Sequence, residues 1–357
     1  MIRKQPFSEK ALLNDFTQTL ESRLPRSWRV ESEEAFGNAG RPDLVIDLLS
    51  PDGNRGKLMV EARKRVDPRD LPRLKDQLQS FAREVGASAV VVMAAFLGPR
   101  TRALLADLGW GYGDATGNFR VVMDKPALFI ELSGTDSNPW PDDQPLRSLR
   151  GRSAGRSVRA FCDFRPPFGI EELAKRSKTS ISSISRVAAL LDREALVTRD
   201  RRGGVLTTDW PGILRRWTQD YSLLRSNRVS SFLEPRGFDQ LLEKVKRQSW
   251  TYSASGSLAA ARVAPVASPR LAVIYVDGIV SRVALDLQVT ETELGGNVML
   301  LEPYDAVVFD RTWSSDGVTY AALTQVVADL LTSPGRGPVE GEELIRRMQA
   351  NEDAWRA

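Results

Sequence analysis

The chain has 357 residues and a formal net charge of +4, and 42% of its residues are hydrophobic and 27% charged. This balance is typical of a folded soluble protein, and the length predicts two or three domains. The absence of histidine excludes Ser-His-Asp and Cys-His catalysis and histidine-ligated zinc. The single cysteine, Cys162, excludes an internal disulfide framework and is expected to be a small buried residue in a reducing compartment.

The sequence has neither a signal-peptide core nor an apolar run of membrane-spanning length. We therefore expect a cytoplasmic protein without membrane contact. Any catalysis must rest on carboxylates, lysine, arginine and a hard cation, since the other usual groups are missing.

Residues 1–135 are predicted to form one α/β domain. Amphipathic spacing indicates helices, and apolar runs between turn residues indicate strands. The predicted helices cover 11–24, 67–84 and 99–108, and the predicted strands cover 44–49, 57–64, 87–95 and 118–123. Helices that alternate with strands favour a layered α/β architecture, and the continuous apolar run at 87–95 is typical of a strand buried on both faces.

A short acidic motif lies on two of these strands. Pro42-Asp43 precedes the first strand, and Val60-Glu61-Ala62-Arg63 lies in the second. This arrangement resembles the PD-(D/E)xK restriction-endonuclease-like fold. The resemblance implies that Asp43 and Glu61 bind Mg²⁺ from adjacent strands, and that the residue at the third position stabilises charge at the scissile phosphate.

The third position departs from the family's pattern, because it holds Arg63 where the family has lysine. Arginine can stabilise an anion but is a poor base, and the following Lys64 should face the other side of the strand. Glu21 and Gln77 are candidates for the family's polar residues on helices. Two hypotheses stay open: a Mg²⁺-dependent nuclease, or a nuclease-like scaffold for DNA or a partner in which the two acids are ordinary strand-end residues.

Residues 109–118 contain four glycines and end in Asp114-Ala-Thr-Gly-Asn118. No Gly-Lys-Ser/Thr follows and the segment does not open a helix, which excludes a Walker A loop and a dinucleotide-binding loop. We predict a structural turn with unusual backbone dihedrals. A place for Asp114 or Asn118 near a phosphate is the alternative.

Residues 136–165 are predicted to form a linker that is first Pro-rich and then Arg-rich. Between 146 and 165 six arginines oppose a single acid, Asp163. Beside a DNA-binding unit, such a run would add phosphate contacts and salt dependence. Arg150, Arg152 and Arg156 are therefore candidate DNA contacts, and 158–161 suits the first helix of the following unit.

The segment 166–209 has the order of a winged helix-turn-helix. A first helix with an apolar stripe is followed by a small polar turn, a second amphipathic helix and a hairpin with a Gly-Gly turn. These parts cover 169–176, 177–180, 181–194 and 195–208, respectively.

Short hydroxyl groups and a guanidinium occupy the polar side at the start of the second helix, where a recognition helix meets base edges. A cationic hairpin tip beside it would contact phosphates. The candidate DNA-binding residues of this unit are Lys178, Ser182, Ser183, Ser185, Arg186, Arg199, Arg201 and Arg202. Double-stranded DNA is the expected partner, and a homodimer would suit paired half-sites. The alternatives are a plain helical core and a protein-docking module.

Residues 210–357 are predicted to form a mixed α/β domain. The predicted helices cover 210–224, 238–245, 320–331 and 339–355, and the predicted strands cover 271–276, 282–287, 297–301 and 306–309. Between 250 and 260 a strand passes through a Gly-Ser turn into a helix, as in nucleotidyltransferases. The paired Asp-x-Asp carboxylates of those enzymes do not follow, which excludes transferase activity.

Several dispersed motifs between 160 and 357 resemble the AbiEi antitoxin family of type IV toxin–antitoxin systems. They are Gly256-Ser-Leu-Ala-Ala260, Gly296-Asn-Val298, Thr324-Gln325, Asp329-Leu-Leu331 and Gly335-Arg336, and they follow the winged-helix segment. The resemblance implies a winged helix that represses its own operon and a C-terminal domain required for antitoxicity. The nuclease-like domain at the N-terminus departs from the simplest members.

Three functional hypotheses result. The first is a sequence-specific double-stranded-DNA-binding protein that acts as an antitoxin-like transcriptional regulator. The second is a Mg²⁺-dependent DNA endonuclease targeted by its winged helix. The third is a DNA-localised scaffold that recruits a toxin or another protein partner through 210–357. No cofactor is implied unless the nuclease-like site is active, in which case it is Mg²⁺.

Overall fold

The computed structural model describes residues 8–34, 41–140 and 148–357. The chain divides into two compact units, the first made of Met1–Gln144 and Arg193–Ala195, the second of Pro145–Asp192 and Leu196–Ala357. Gly37-Asn-Ala-Gly40, whose composition predicts a loop, and Arg147 of the arginine-rich run lie outside the described residues. Among the helices that are described, none combines the length and apolar character needed to cross a bilayer.

The first unit is built on one mixed sheet whose strands follow one another in chain order. β3, β4 and β5 are parallel, and the other neighbouring strands are antiparallel. The strands are β1 Arg29–Glu34, β2 Leu44–Leu49, β3 Arg55–Ala62, β4 Ala89–Ala94, β5 Gly111–Asp114, β6 Phe119–Met123 and β7 Leu128–Leu132. The helices are α1 Glu9–Arg23, α2 Leu71–Val85 and α3 Pro99–Asp107, with a 3₁₀ turn at Pro68–Asp70.

Helices cover both faces of this sheet. The apolar stripe of α1 packs on one face together with Val91 and Met93 of β4. The stripes of α2 and α3 pack on the other face with Val90 and Val92 of the same strand. Because successive side chains of a strand point to opposite faces, both sets of side chains are buried, which explains the uninterrupted apolar run. The predicted layered α/β architecture is confirmed.

The glycine-rich segment forms β5 and a locked turn. A Cβ at Gly111 would lie 2.5 Å from the carbonyl oxygen of Arg120 on the neighbouring strand, so only glycine permits this pairing. After the strand, Asp114 accepts hydrogen bonds from the backbone N–H of Asn118 at 3.2 Å and of Leu97 at 3.1 Å. Asp114 and Asn118 are buried. Their hydrogen bonds are those of the predicted structural turn.

The second unit contains a helical segment with a short hairpin and a second mixed sheet. The helices are α4 Arg152–Asp163, α5 Ile170–Arg176, α6 Ile181–Arg193, α7 Trp210–Trp217, α8 Leu223–Ser226, α9 Phe238–Lys246, α10 Gly256–Ala260, α11 Val280–Leu287, α12 Leu323–Leu331 and α13 Gly337–Ala350. The strands are β8 Val197–Arg199, β9 Val205–Thr208, β10 Arg228–Leu233, β11 Tyr252–Ser255, β12 Ala272–Val276, β13 Thr290–Glu291, β14 Val298–Glu302, β15 Trp313–Ser315 and β16 Val318–Tyr320.

β8 and β9 form the hairpin, and the larger sheet has the order β13-β10-β14-β12-β11-β16-β15. One hydrophobic core includes Ile184 of α6, Ile274 of β12 and Val326 of α12. The helical segment and the C-terminal region therefore share a core and are not separated by a boundary near 210. α12 is buried on almost every side, which is the pattern of a central helix.

Three predicted elements of this unit are wrong. The strand predicted at 282–287 is part of α11, because Val280, Val283, Ala284 and Leu287 form a buried stripe at helical spacing. The strand predicted at 306–309 is a 3₁₀ turn whose first turn is capped by Asp305. The linker predicted up to 165 contains the helix α4, which is buried along most of its length.

Candidate functional sites

The helical segment of the second unit begins with a connection to the hairpin. Phe168, just before α5, exchanges two backbone hydrogen bonds with Val205 of β9, at 3.1 and 3.0 Å. α5 and α6 are joined by a turn in which Lys178 has a positive φ of 52°. Ser180 caps α6, since its Oγ accepts the backbone N–H of Ser183 at 3.2 Å.

The start of α6 presents polar groups and one apolar side chain to solvent. Ser182, Ser185 and Arg186 are exposed, and Ile181 is 53% exposed. Arg186 donates its Nε to the carbonyl oxygen of Ser182 at 3.2 Å. This bond holds the guanidinium along the outer face of the helix.

Ser183 corrects the predicted set of exposed residues. Its side chain is 8% exposed and interacts with Ser180 Oγ at 2.8 Å. Ser183 lies one helical turn before the buried Val187, so it belongs to the packed side of α6. It is not available for contact with a base.

The tip of the hairpin is held by an acid and a guanidinium. Asp200 Oδ1 accepts the backbone N–H groups of Arg202 at 2.7 Å and Gly204 at 2.9 Å. Arg199 donates two hydrogen bonds to the carbonyl oxygen of Gly203, at 3.1 and 3.0 Å. Arg199 is thus part of the hairpin's own structure, while the side chains of Arg201 and Arg202 are exposed.

Lys178 and the arginines before α5 have partners within the second unit. Lys178 Nζ lies 3.5 Å from Asp310 Oδ1, with 72% of its side chain exposed. Arg156 pairs with the buried Asp305 at 2.8 Å. This pairing contradicts the prediction that Arg156 is a solvated linker residue poised for phosphate.

Arg150 and Arg152 line a separate cavity of about 650 Å³. Arg152 donates Nε to the carbonyl oxygen of Tyr304 at 3.1 Å, and Arg150 lies 3.5 Å from Asp220. The three candidate arginines of the predicted linker therefore sit at the start of α4.

The acidic motif of the first unit is brought together by strand register. Leu44 pairs with Val60 across β2 and β3, so the preceding Asp43 lies opposite Glu61. Asp43 Oδ2 accepts the backbone N–H of Ala62 at 2.9 Å. The two carboxylates predicted from the sequence are therefore neighbours at one end of these strands.

Glu61 is the buried member of this pair. Its side chain is 4% exposed, its Oε1 lies 2.6 Å from Arg63 Nη2, and its Oε2 has no hydrogen-bond partner among the described residues. The pKa of Glu61 is raised to about 7, mainly by burial and next by the charge of Asp43, while Arg63 partly offsets both.

The structure separates the other predicted members of the acidic site. Lys64 lies beyond the end of β3 and is exposed. Glu9, at the start of α1, is close enough for its charge to raise the pKa of Glu61. Glu21 lies twelve residues further along the helix, about 18 Å from Glu9 by helical rise, and Gln77 is exposed on α2.

Sequence spacing gave no signal for Glu9, because its proximity to Glu61 depends on how α1 crosses the sheet. In the described ranges, no three or more Cys, Asp or Glu side chains form a cluster able to hold a metal ion.

Comparison of the whole chain with profiles of known protein families, with curated proteins and with solved structures finds no match.

Proposed function

We propose that the protein binds double-stranded DNA through α6 and the β8–β9 hairpin. The observation that carries the proposal is the exposed start of α6, where Ser182, Ser185 and Arg186 face solvent while the apolar side of the helix is packed. Hydroxyl and guanidinium groups at the start of a helix are those that contact base edges in the major groove.

The order of the elements supports this proposal. α4, the bridge at Phe168, α5, α6 and the hairpin follow one another as the helices, short strand and wing of a winged helix-turn-helix do. Arg201 and Arg202 at the exposed hairpin tip have the charge and reach for phosphates flanking a groove. Lys178 would add a cationic contact in the turn between the two helices.

Selection from a random duplex library followed by fluorescence anisotropy tests the proposal with the full chain. Arg186→Ala should raise Kd for the selected duplex about 10-fold, and much less for random DNA, because a bidentate contact to one base pair is worth about 1–3 kcal/mol. Arg282→Ala, an exposed arginine on α11, is the matched control. If Arg186→Ala binds the selected duplex and random DNA each with the same affinity as the wild type, the assignment of α6 is refuted.

The hairpin is tested separately by the salt dependence. Removing one phosphate contact lowers the slope of log K against log salt concentration by about 0.9. Arg201→Ala and Arg202→Ala should therefore flatten that slope and weaken binding to all sequences alike. An unchanged slope in the double variant would remove the hairpin from the interface.

We further propose an antitoxin-like transcriptional regulator as the biological role, supported by the motifs between 160 and 357 that resemble the AbiEi family. A reporter gene placed behind the upstream region of the protein's own gene should be repressed by the wild type and released by Arg186→Ala. A neighbouring toxin would be the partner expected for the region 210–357, and its co-purification with the full chain would support this role. A reporter that the wild type does not repress would count against autoregulation.

A second candidate function, cation-assisted phosphodiester cleavage, is favoured by the unpartnered Oε2 of Glu61 beside Asp43. Carboxylate oxygens suit Mg²⁺, which commonly takes one or two of them and completes its shell with water. Asp43 and Glu61 would hold the ion, which would supply charge for a transferring phosphate, and Arg63 could stabilise the same charge. Incubation of DNA with Mg²⁺ or Mn²⁺ should then give cuts that Glu61→Ala abolishes, whereas binding without cuts would leave the scaffold hypothesis.

A further inference from the structure

A cavity of about 870 Å³ lies inside the second unit, beside the start of α12, the end of α13 and β15. Its lining includes the apolar residues Leu323 and Met348, two indole rings and two guanidinium groups. None of the residues assigned to DNA or to the acidic motif lines it. Its size is within the range of small-molecule sites.

The two indole rings are held in place by other groups. Trp313 and Trp355 each donate Nε1 to a backbone carbonyl, at 2.9 and 3.0 Å. Trp313 stacks on Tyr320 with ring centroids 4.6 Å apart, and Trp355 packs edge-on against Trp210 at 4.9 Å. Because the only polar atom of each indole is already bonded, both half-buried rings offer apolar carbon surface to a ligand.

The charges in the wall favour an anion. Arg311 is exposed, and Arg347, exposed on α13, forms no ion pair with any residue in the described ranges. The acid among the lining residues is Asp163, whose Oδ2 is already paired with Arg159 at 3.0 Å. The cavity thus combines aromatic and aliphatic side chains with cations that Asp163 does not neutralise.

We propose that this cavity binds a small, flat, mainly apolar anion of the aromatic carboxylate or sulfonate class. The rings would contact the planar body, and Arg347, assisted by Arg311, would pair with the anionic group. A guanidinium suits this role because it stays charged and matches the planar geometry of a carboxylate. The proposal does not depend on DNA binding.

The test is a fluorescence titration of the full-length protein with 8-anilinonaphthalene-1-sulfonate. We expect saturable binding of one molecule per chain and an approximately 10-fold weaker Kd for Arg347→Ala. Arg346→Ala is the matched control, because Arg346 is the adjacent exposed residue on α13, pairs with Glu343 and does not line the cavity. Its Kd should equal that of the wild type.

The uncharged probe N-phenyl-1-naphthylamine separates charge recognition from adhesion to apolar surface. It should bind the wild type more weakly than the sulfonate does and should not distinguish the wild type from Arg347→Ala. Indole-3-acetate should displace the sulfonate. No saturable site, equal Kd values for Arg347→Ala and the wild type, or equal binding of the neutral and anionic probes would each overturn the proposal.

Discussion

Arg159 and Asp163 form an ion pair inside α4, with Nη2 and Oδ2 3.0 Å apart and side chains only 1% and 6% exposed. The pair is tied to other elements of the second unit, since Arg159 also donates to Gln325 Oε1 at 3.2 Å and Asp163 accepts from the hydroxyl of Thr324. A run of arginines that resembles a solvated linker in the sequence therefore contributes a buried polar connection between α4 and α12.

Replacing one member of this pair should destabilise the protein strongly. Arg159→Met leaves the carboxylate of Asp163 buried without its cation, and loss of one partner of a buried pair typically costs about 3–5 kcal/mol. Urea denaturation, monitored by circular dichroism, measures this change in the free energy of unfolding. The double variant Arg159→Met/Asp163→Leu should recover much of the loss, whereas a single variant as stable as the wild type would contradict the assigned role of the pair.

Ser182 and Ser183 are adjacent in sequence but should differ in their effect on DNA binding. Ser182→Ala removes an exposed hydroxyl and should weaken the affinity for a selected duplex by about 0.5–1.5 kcal/mol, the net value of one hydrogen bond. Ser183→Ala should leave the affinity unchanged, because this side chain is buried against Ser180. Anisotropy titrations of both variants decide the point, and a larger loss for Ser183→Ala would reverse our assignment of the two faces.

Glu61 should make the stability of the first unit depend on pH. Its folded pKa of about 7 lies above the ordinary value of 4.5, so the unfolded chain ionises first as the pH rises. The contribution of Glu61 to the free energy of unfolding is fully present below pH 4.5. It is lost as the pH rises to about 7, by roughly 3 kcal/mol at most. Urea denaturation across this range should show the loss in the wild type and in the exposed-site control Glu31→Gln. In Glu61→Gln this loss of stability with rising pH should be smaller. Identical plots of unfolding free energy against pH for all three proteins would contradict the prediction.

Two glycines of β5 should respond differently to alanine. At Gly111 a Cβ would meet the backbone oxygen of Arg120 at 2.5 Å, which cannot move without disturbing the strand pair. At Gly113 it would meet the sulfur of Met93, near the end of a flexible side chain. Gly111→Ala should therefore lose about 1–3 kcal/mol of unfolding free energy and Gly113→Ala clearly less. If thermal or urea denaturation shows equal losses of unfolding free energy for the two variants, the flexibility of the neighbouring side chain does not determine the loss.

The elements that the sequence predicted well are those with a strong local pattern. β2 and α3 begin at the predicted residues and end within one residue of the predicted bounds, because turn residues at 50–54 end the apolar run of β2 and Pro99 suits the first turn of α3. The alignment of Asp43 with Glu61 also follows from the sequence once the two flanking strands are recognised. The exposed positions of Ser182, Ser185 and Arg186 agree with the polar side predicted for the second helix of the 166–209 segment.

Features that depend on distant neighbours could be found only in the tertiary structure. The sequence of β5 lacks the alternation of apolar and polar residues that is typical of a strand. It forms a strand because β4 and β6 supply hydrogen-bond partners on either side. Arg159 lies in a run with the composition of a linker, but it becomes a core residue because Asp163 and Gln325 provide acceptors for it. Glu9 approaches Glu61 because α1 packs across the sheet. Local periodicity depends on residues a few positions apart, whereas burial and pKa depend on groups that the fold brings together from far along the chain.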